Sequence, residues 1–395
     1  MICSDRFVLA RVSTMDIGRF GIDPSRGFLP PSDPQILFGE DVNPYFKNLE
    51  RIGQQIPELL ESHKTRETLD RLPVPDLMIL RGLPAQEVVV AARIYAFLAS
   101  AYVHQIGEPA ARTLPEGVAL PFFLLSGRMG RRMPILSYDL YCLNNWRRLD
   151  MNGPIGLENL DAIQKFVRIC DEPWFILVHT EIESEAAPAI GAIGYIQQAV
   201  LDDSAEQLEE GLETIGRSLT NMIETLRRMP EGNSPDVYAF AFRPYIQMFS
   251  EITYEDMEDL AGPQTFRGET GAQSSIIPSL DVALGIRHRR TDLTDYVGDM
   301  RNYMPAGHRS FIEAVAREEE ARPLRDHIVA GNSRNSAEAY NTCLERIGEF
   351  RQQHLEFATS YIQTKVTDKN GMGGTPFMKW LAQLRSETQA AMVAL

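Results

Sequence analysis

Of the seven histidines in the chain, His354 has the sequence surroundings that most suggest chemistry. Tyr340, Cys343, Ile347, Phe350, His354, Phe357 and Tyr361 recur about every 3.5 residues, which gathers them on one face of a helix and points the imidazole inward. Two readings of that histidine stand side by side. In one it is a core residue satisfied by a single hydrogen bond. In the other it is an axial ligand to haem iron, because a proximal ligand has to be a neutral imidazole on a rigid helix within an apolar wall. Arg351, one turn earlier, falls near the same face, where a guanidinium can pair with a haem propionate or with a neighbouring carboxylate; the alternative is a solvated arginine. His179 closes the apolar run FILVH and is expected to be buried, which on its own describes a core histidine. His63, His104, His288, His308 and His327 have polar or basic neighbours and are assigned no role.

Other chemistries find little support. There is no HExxH, no paired Cys/His cluster and no EF-hand run, so metal sites other than haem are poorly supported. The absence of GxSxG, GxxxxGK[ST] and a strand-linked GxGxxG weakens hydrolase, nucleotide and dinucleotide readings. A net charge of −15 leaves no basic surplus for phosphates, so neither nucleic acid nor an anionic membrane is an expected partner. No run of apolar residues is long enough to span a bilayer, and the N-terminus mixes charges into its apolar positions, unlike a secretory signal. A cytoplasmic protein with reduced thiols is expected, since Cys3, Cys142, Cys170 and Cys343 are scattered. With 44% hydrophobic and 24% charged residues over 395 positions, the chain is globular rather than disordered.

The elements that must position these residues read mainly as helix. Apolar residues recur every three or four positions, and period-two alternation is scarce. Ser204 and Gln207 have capping-box spacing, and Leu208, Leu212, Ile215, Leu219, Met222 and Leu226 then form one stripe ending near Met229-Pro230. Thr375 and Pro376 suit the start of a last helix running through Trp380 and Leu384 towards Met392. Residues 48–72 and 85–105 read as helix, whereas prolines keep 27–34 irregular. The Pro/Gly-containing stretch 107–117 suggests a boundary between a smaller, mostly helical N-terminal domain (1–115) and a large all-helical domain (116–395). Within the latter, 365–374 (KVTDKNGMGG) has no apolar period and reads as a mobile surface loop of the kind that often serves as a lid.

Over nearly its whole length the chain resembles the indoleamine 2,3-dioxygenase family, haem enzymes that open the indole ring of tryptophan. The matching segments include RGFLP at 26–30, ASAYVH at 99–104, Leu120-Pro121, PILSY at 134–138, Asn145-Trp146, GAQSS at 271–275, LDVALGI at 280–286, MRNYMPAGHR at 300–309, RQQHL at 351–355 and GGT at 373–375. So many ordered matches favour the ligand reading of His354. The resemblance implies haem b (iron protoporphyrin IX) with His354 as proximal iron ligand, Arg351 and Asp281 as its supporting pair, and Thr270 beside a propionate. It also implies a small-molecule indole held by Arg243 through its carboxylate and by Phe122, Phe175 and Tyr238 through its ring. A monomer is expected.

Two positions depart from the family's pattern. Gly371-Met372-Gly373-Gly374-Thr375 replaces Gly-Thr-Gly-Gly-Thr, so Met372 stands where a threonine helps to hold the substrate's polar end. The family's distal serine falls on His179, which would position the indole rather than deprotonate it. The implied reaction adds both atoms of O2, as co-substrate, across the indole C2=C3 bond, converting L-tryptophan to N-formylkynurenine. The alternatives are oxidation of another indole derivative, use of peroxide, or a non-catalytic haem- or ligand-binding protein on the same scaffold.

Overall fold

The helix Ala205–Arg227 begins where Ser204 accepts a hydrogen bond from the Gln207 amide, and it buries Leu208, Leu212, Ile215, Leu219, Met222 and Leu226 along one side. It ends two residues before Met229, where a short turn, Met229–Gly232, takes over because Pro230 cannot continue the hydrogen-bond ladder. The computed structural model describes residues 15–365 and 377–395, and over these the protein is mainly α-helical. Met372, the rest of the 365–374 segment beyond Lys365, and the Thr375-Pro376 cap lie outside the described residues.

Six helices position the site: α1 (Ala85–Val103), α2 (Asp171–Leu201), α3 (Ala205–Arg227), α4 (Ile276–Ala283), α5 (Arg334–Ala358) and α6 (Phe377–Ala390). The short connection between α2 and α3 folds them back on one another, α5 packs on α3, and α6 packs on α5. Cys343 of α5 donates its thiol to the Leu212 carbonyl of α3 (3.1 Å), and Tyr340 donates to the Leu284 carbonyl just beyond α4 (2.8 Å). These bonds fix the rotation of α5 and therefore the direction in which His354 points. Helix α1 is long and apolar enough to cross a membrane by length and composition, but most of it lies in the protein interior. Its buried Arg93 donates to the carbonyls of Asn144 (2.7 Å), Gln35 (3.0 Å) and Ile36 (3.1 Å), tying the N-terminal segment to the centre of the molecule.

Where the sequence reads as one helical stretch over 48–72, the structure has three helices, Pro44–Gln54, Ile56–Glu61 and Thr65–Leu69. Pro57 cannot donate to the preceding turn and restarts the helix, and His63, with φ at 54°, ends the second. Short strands also interrupt the helical pattern. Thr113–Leu114 (β1) pairs in parallel with Phe249–Tyr254 (β4), which pairs antiparallel with Pro263–Phe266 (β5). Trp146–Arg148 (β2) and Leu160–Ala162 (β3) make a separate antiparallel pair. Residues 27–34 hold no helix or strand, and Gly27 has φ at 59° with the Ala187 backbone 3.0 Å from where a Cβ would stand, so only glycine fits there.

Three widened, π-type turns, Asp139–Leu143, Tyr238–Phe242 and Thr359–Gln363, complete the frame. Each admits an extra residue, seen in the bonds from Asn144 N to Asp139 O (2.9 Å) and from Thr364 N to Thr359 O (3.2 Å). Such turns redirect side chains and gather at functional sites. Here all three carry residues of one aromatic cluster, described next.

Candidate active site

Glu172, Phe175, His179 and Glu183 follow one another at steps of three and four along α2 and therefore share a face. Against that face the rings of Phe175 and His179 lie 4.5 Å apart, Phe175 and Tyr238 5.3 Å, Tyr238 and Tyr361 5.7 Å, and Tyr138 stands edge-on to His179 at 5.9 Å. Each of the three widened turns or its flanking residue thus contributes a ring. Phe122 is fully buried on the helix Glu116–Arg128, and no ring contact among the described residues joins it to this cluster.

His354 differs from the rest of its stripe. Tyr340, Cys343 and Ile347 are completely buried, whereas much of the His354 surface is accessible. Even so, surrounding protein desolvates the ring and lowers its pKa, so the imidazole lies within the fold and is neutral at pH 7. Accessible surface within an enclosing fold marks the wall of a recess. No hydrogen bond to either ring nitrogen is found among the described residues, which separates His354 from a satisfied core histidine. His179 stands near enough for the His354 imidazole to depress its pKa further after burial has lowered it, to about 4. Its Nδ1 donates to the Phe175 carbonyl (2.7 Å), which leaves Nε2 as the nitrogen with a lone pair. Among the described residues no group of three or more His, Cys, Asp and Glu could hold a metal ion. A metal at His354 would therefore have to bring its other ligands with it, as iron does in a porphyrin.

Behind His354, Arg351 is 4% exposed and donates from Nη2 to Asp281 Oδ2 of α4 (2.5 Å), and also to the Thr388 hydroxyl of α6. Pairing with a carboxylate is thus the arrangement found for Arg351. His288, whose basic neighbours in the sequence point to no role, has its Nε2 3.2 Å from Asp281 Oδ2 and its Nδ1 2.7 Å from Glu387 Oε2. Burial works to raise the Asp281 pKa, but Arg351 and His288 outweigh it and hold the carboxyl below the usual aspartate range. Its Oδ1 is buried without a partner among the described residues, an acceptor still available to a donor. A cofactor at His354 would therefore meet a braced, charged support behind its ligand.

Asp281→Asn is expected to destabilise the fold by about 3 kcal/mol, because it strands a buried guanidinium. Since the folded pKa lies below the unfolded one, Asp281's contribution is complete above the ordinary aspartate pKa of about 3.9 and is lost as the pH falls through the depressed value. Urea unfolding across that range should show a shallower acid limb in the variant. Parallel limbs would place the acid sensitivity elsewhere.

On the other side, Arg243 follows the Tyr238–Phe242 turn, is 5% exposed, and acts on the Tyr238 phenol by charge and hydrogen bonding. Thr270 caps the short turn Gly271–Gln273, its hydroxyl accepting from the Ala272 amide (3.4 Å). Ser274 in the same segment donates to Glu183 Oε1 (2.7 Å), and Gln273 accepts from the Tyr138 amide (3.0 Å), so the 270–275 stretch is tied to α2 and to the first widened turn. Sequence reasoning missed Glu183, Glu269, His288 and Glu387. Only Glu183 carried a signal, its helical spacing from Phe175 and His179.

The arrangement pairs an accessible neutral imidazole, backed by an ion pair, with a facing aromatic recess that has an arginine at its edge. A sequence model of the family described as Indoleamine 2,3-dioxygenase matches residues 16–391. Indoleamine 2,3-dioxygenase 1 of Rattus norvegicus is 31% identical over 87% of this chain and 88% of its own length. Indoleamine 2,3-dioxygenase 2 of Homo sapiens is 28% identical over 95% of each chain. Indoleamine 2,3-dioxygenase of Saccharomyces cerevisiae is 27% identical over 94% of this chain and 92% of its own.

Proposed function

The chain belongs to the indoleamine 2,3-dioxygenase family and is an oxidoreductase of that class, and we propose that it is a haem-dependent dioxygenase cleaving the indole ring of L-tryptophan to give N-formylkynurenine. The observation that carries this reading is the accessible His354 imidazole, with no hydrogen bond to its ring nitrogens among the described residues, facing His179 and the aromatic cluster. In this reading His354 would hold the iron of haem b, the Asp281–Arg351 pair would brace His354 from behind, and the Thr270 hydroxyl would be available to the cofactor's acidic edge. When bound, the haem activates O2 for insertion of both atoms across the indole C2=C3 bond.

The chain's own residues bind and orient the substrate. Phe175 and Tyr238 hold the flat ring and exclude water. Arg243 neutralises and aligns the carboxylate. His179, kept neutral by burial, offers Nε2 to accept a hydrogen bond from the indole N–H and so sets which edge of the ring faces the cofactor. No side-chain base is required if the indole keeps its proton until ring attack.

Purified protein is expected to show a Soret band and, when reduced under carbon monoxide, a ferrous–CO spectrum. Given L-tryptophan and isotopically labelled O2, it should release N-formylkynurenine carrying both labelled oxygen atoms. Fully haem-loaded protein that yields no such product would defeat the tryptophan assignment.

A further inference from the structure

Three glutamates are completely or almost completely buried around the aromatic recess, and they are satisfied very unequally. Glu172 accepts from the amides of Phe166 and Val167 (2.8 and 2.9 Å) and from the Tyr141 hydroxyl (3.2 Å). Glu183 accepts from Ser274 (2.7 Å). Glu269, only 2% exposed, has neither a hydrogen bond nor an ion pair to its carboxyl among the described residues. A buried carboxyl without a donor or counter-charge is costly when ionised, so its pKa moves up, here to about 8 through desolvation alone.

The backbone gives Glu269 little freedom to escape this position. Its amide donates to the Ile246 carbonyl (3.1 Å), and the Gly268 carbonyl accepts from Gln273 (2.9 Å). A Cβ at Gly268 would come within 2.5 Å of the Ile246 carbonyl oxygen, so the two segments approach as closely as they do only because glycine stands there. The carboxyl lies where its charge is felt by Tyr138, Tyr141 and Cys142 of the first widened turn and by Tyr238 of the second. Tyr141 and Tyr238 both pack on Phe175, at 6.3 and 5.3 Å, and the segment carrying Glu269 is bonded to Ile246, to the Tyr138 amide and to Glu183, so Glu269 lies beside the proposed indole pocket. Tyr238 feels both Arg243 and Glu269, and burial is what raises the Glu269 pKa.

We propose that Glu269 is a specificity-determining residue that pairs with the ammonium group of the substrate while Arg243 takes its carboxylate, making the pocket selective for zwitterionic indole amino acids. The inference rests on the indole reading above. The ligand's ammonium supplies the counter-charge that the protein withholds, and Glu269 gives up its proton to solvent as the ion pair forms. Tyr138, Tyr141, Cys142 and Tyr238 are the titratable groups that sense its charge, and none of them is a cation.

The test is calorimetric binding of L-tryptophan, tryptamine and 3-indolepropionate to haem-loaded wild type, Glu269→Gln and Glu269→Asp. Glu269→Gln should weaken tryptophan and tryptamine about ten-fold or more and leave indolepropionate, which has no ammonium, within about two-fold. Glu269→Asp should bind tryptophan with intermediate affinity, since it keeps the charge but shortens the reach. Titrations near pH 7 in buffers of different ionisation enthalpy should report release of close to about one proton with tryptophan on wild type and none on Glu269→Gln. Equal weakening of all three ligands, or unchanged tryptophan binding, would overturn the inference while leaving the indole reading intact. A wild-type protein that binds none of the three would remove both.

Discussion

His354→Ala is expected to purify as a folded protein that has lost its Soret band. The argument turns on what the side chain does in the absence of a cofactor. Its ring nitrogens have no hydrogen-bond partner among the described residues and much of its surface is accessible, so truncation strands no buried donor and empties no packed space. Unfolding of the haem-free protein should therefore shift by less than about 0.5 kcal/mol. Haem affinity, by contrast, should collapse, because the one imidazole backed by the Asp281–Arg351 pair is gone, and His179 sits on a different helix without that support. Added imidazole, which fits the space left by the truncation, should restore a ferrous–CO spectrum. An unchanged Soret band in the variant would remove the axial role. A large loss of stability without haem would instead make His354 a packing residue. His104 and His308 provide the contrast: the first is partly and the second almost fully buried, with pKa values pushed down by desolvation to about 4 and about 3, and alanine there should destabilise the fold through lost packing.

Much of this site was legible in the sequence, for reasons that also explain what was not. A helical period reports which way a side chain points, and it placed His354 on the face of Tyr340, Cys343 and Ile347. It cannot report whether the ring nitrogens are satisfied, since that depends on segments folded against the helix from elsewhere. His288 shows the same gap. In RHRR it reads as part of a solvated basic run, yet the carboxylates it meets come from Asp281, seven residues earlier, and Glu387, ninety-nine later. The widened turns were invisible because an extra residue per turn breaks the period that identifies a helix, and YAFAF reads equally well as alternation. Glu269 sits between a glycine and a threonine in what looks like an ordinary polar loop. Its burial follows from the close approach to residues 246–248 that Gly268 permits, a contact no local pattern encodes. The strands β1 and β4 escaped notice likewise, being brought together across more than a hundred residues. Periodicity therefore recovered the scaffold and its inward faces, while the polar satisfaction that separates a site from a core became visible only with tertiary contacts.

Arg243→Ala should separate ligands by their chemistry rather than weaken them all. The guanidinium is 5% exposed at the end of the Tyr238–Phe242 turn, where Pro244 follows and the short helix Arg243–Ile246 fixes its backbone. A carboxylate bound there gains a charge-assisted bond in a desolvated setting, which corresponds to about 2–3 kcal/mol, or a factor of about 30–150 in kcat/KM for L-tryptophan. Indole has no carboxylate and should lose less than about three-fold, enough to cover the repacking of Tyr238 once its cationic neighbour is gone. Arg243→Lys should recover only part of the loss, since an ammonium supplies charge without the planar fork that aligns a carboxylate. The KM-against-kcat split adds a check that a purely structural role would not meet. If Arg243 only anchors the ground state, KM rises alone; if it also sets the ring's distance from the cofactor through the carboxylate, kcat falls with it. Indole and tryptophan suffering alike would mean that Arg243 shapes the recess by packing rather than by charge, and the carboxylate would then need another anchor.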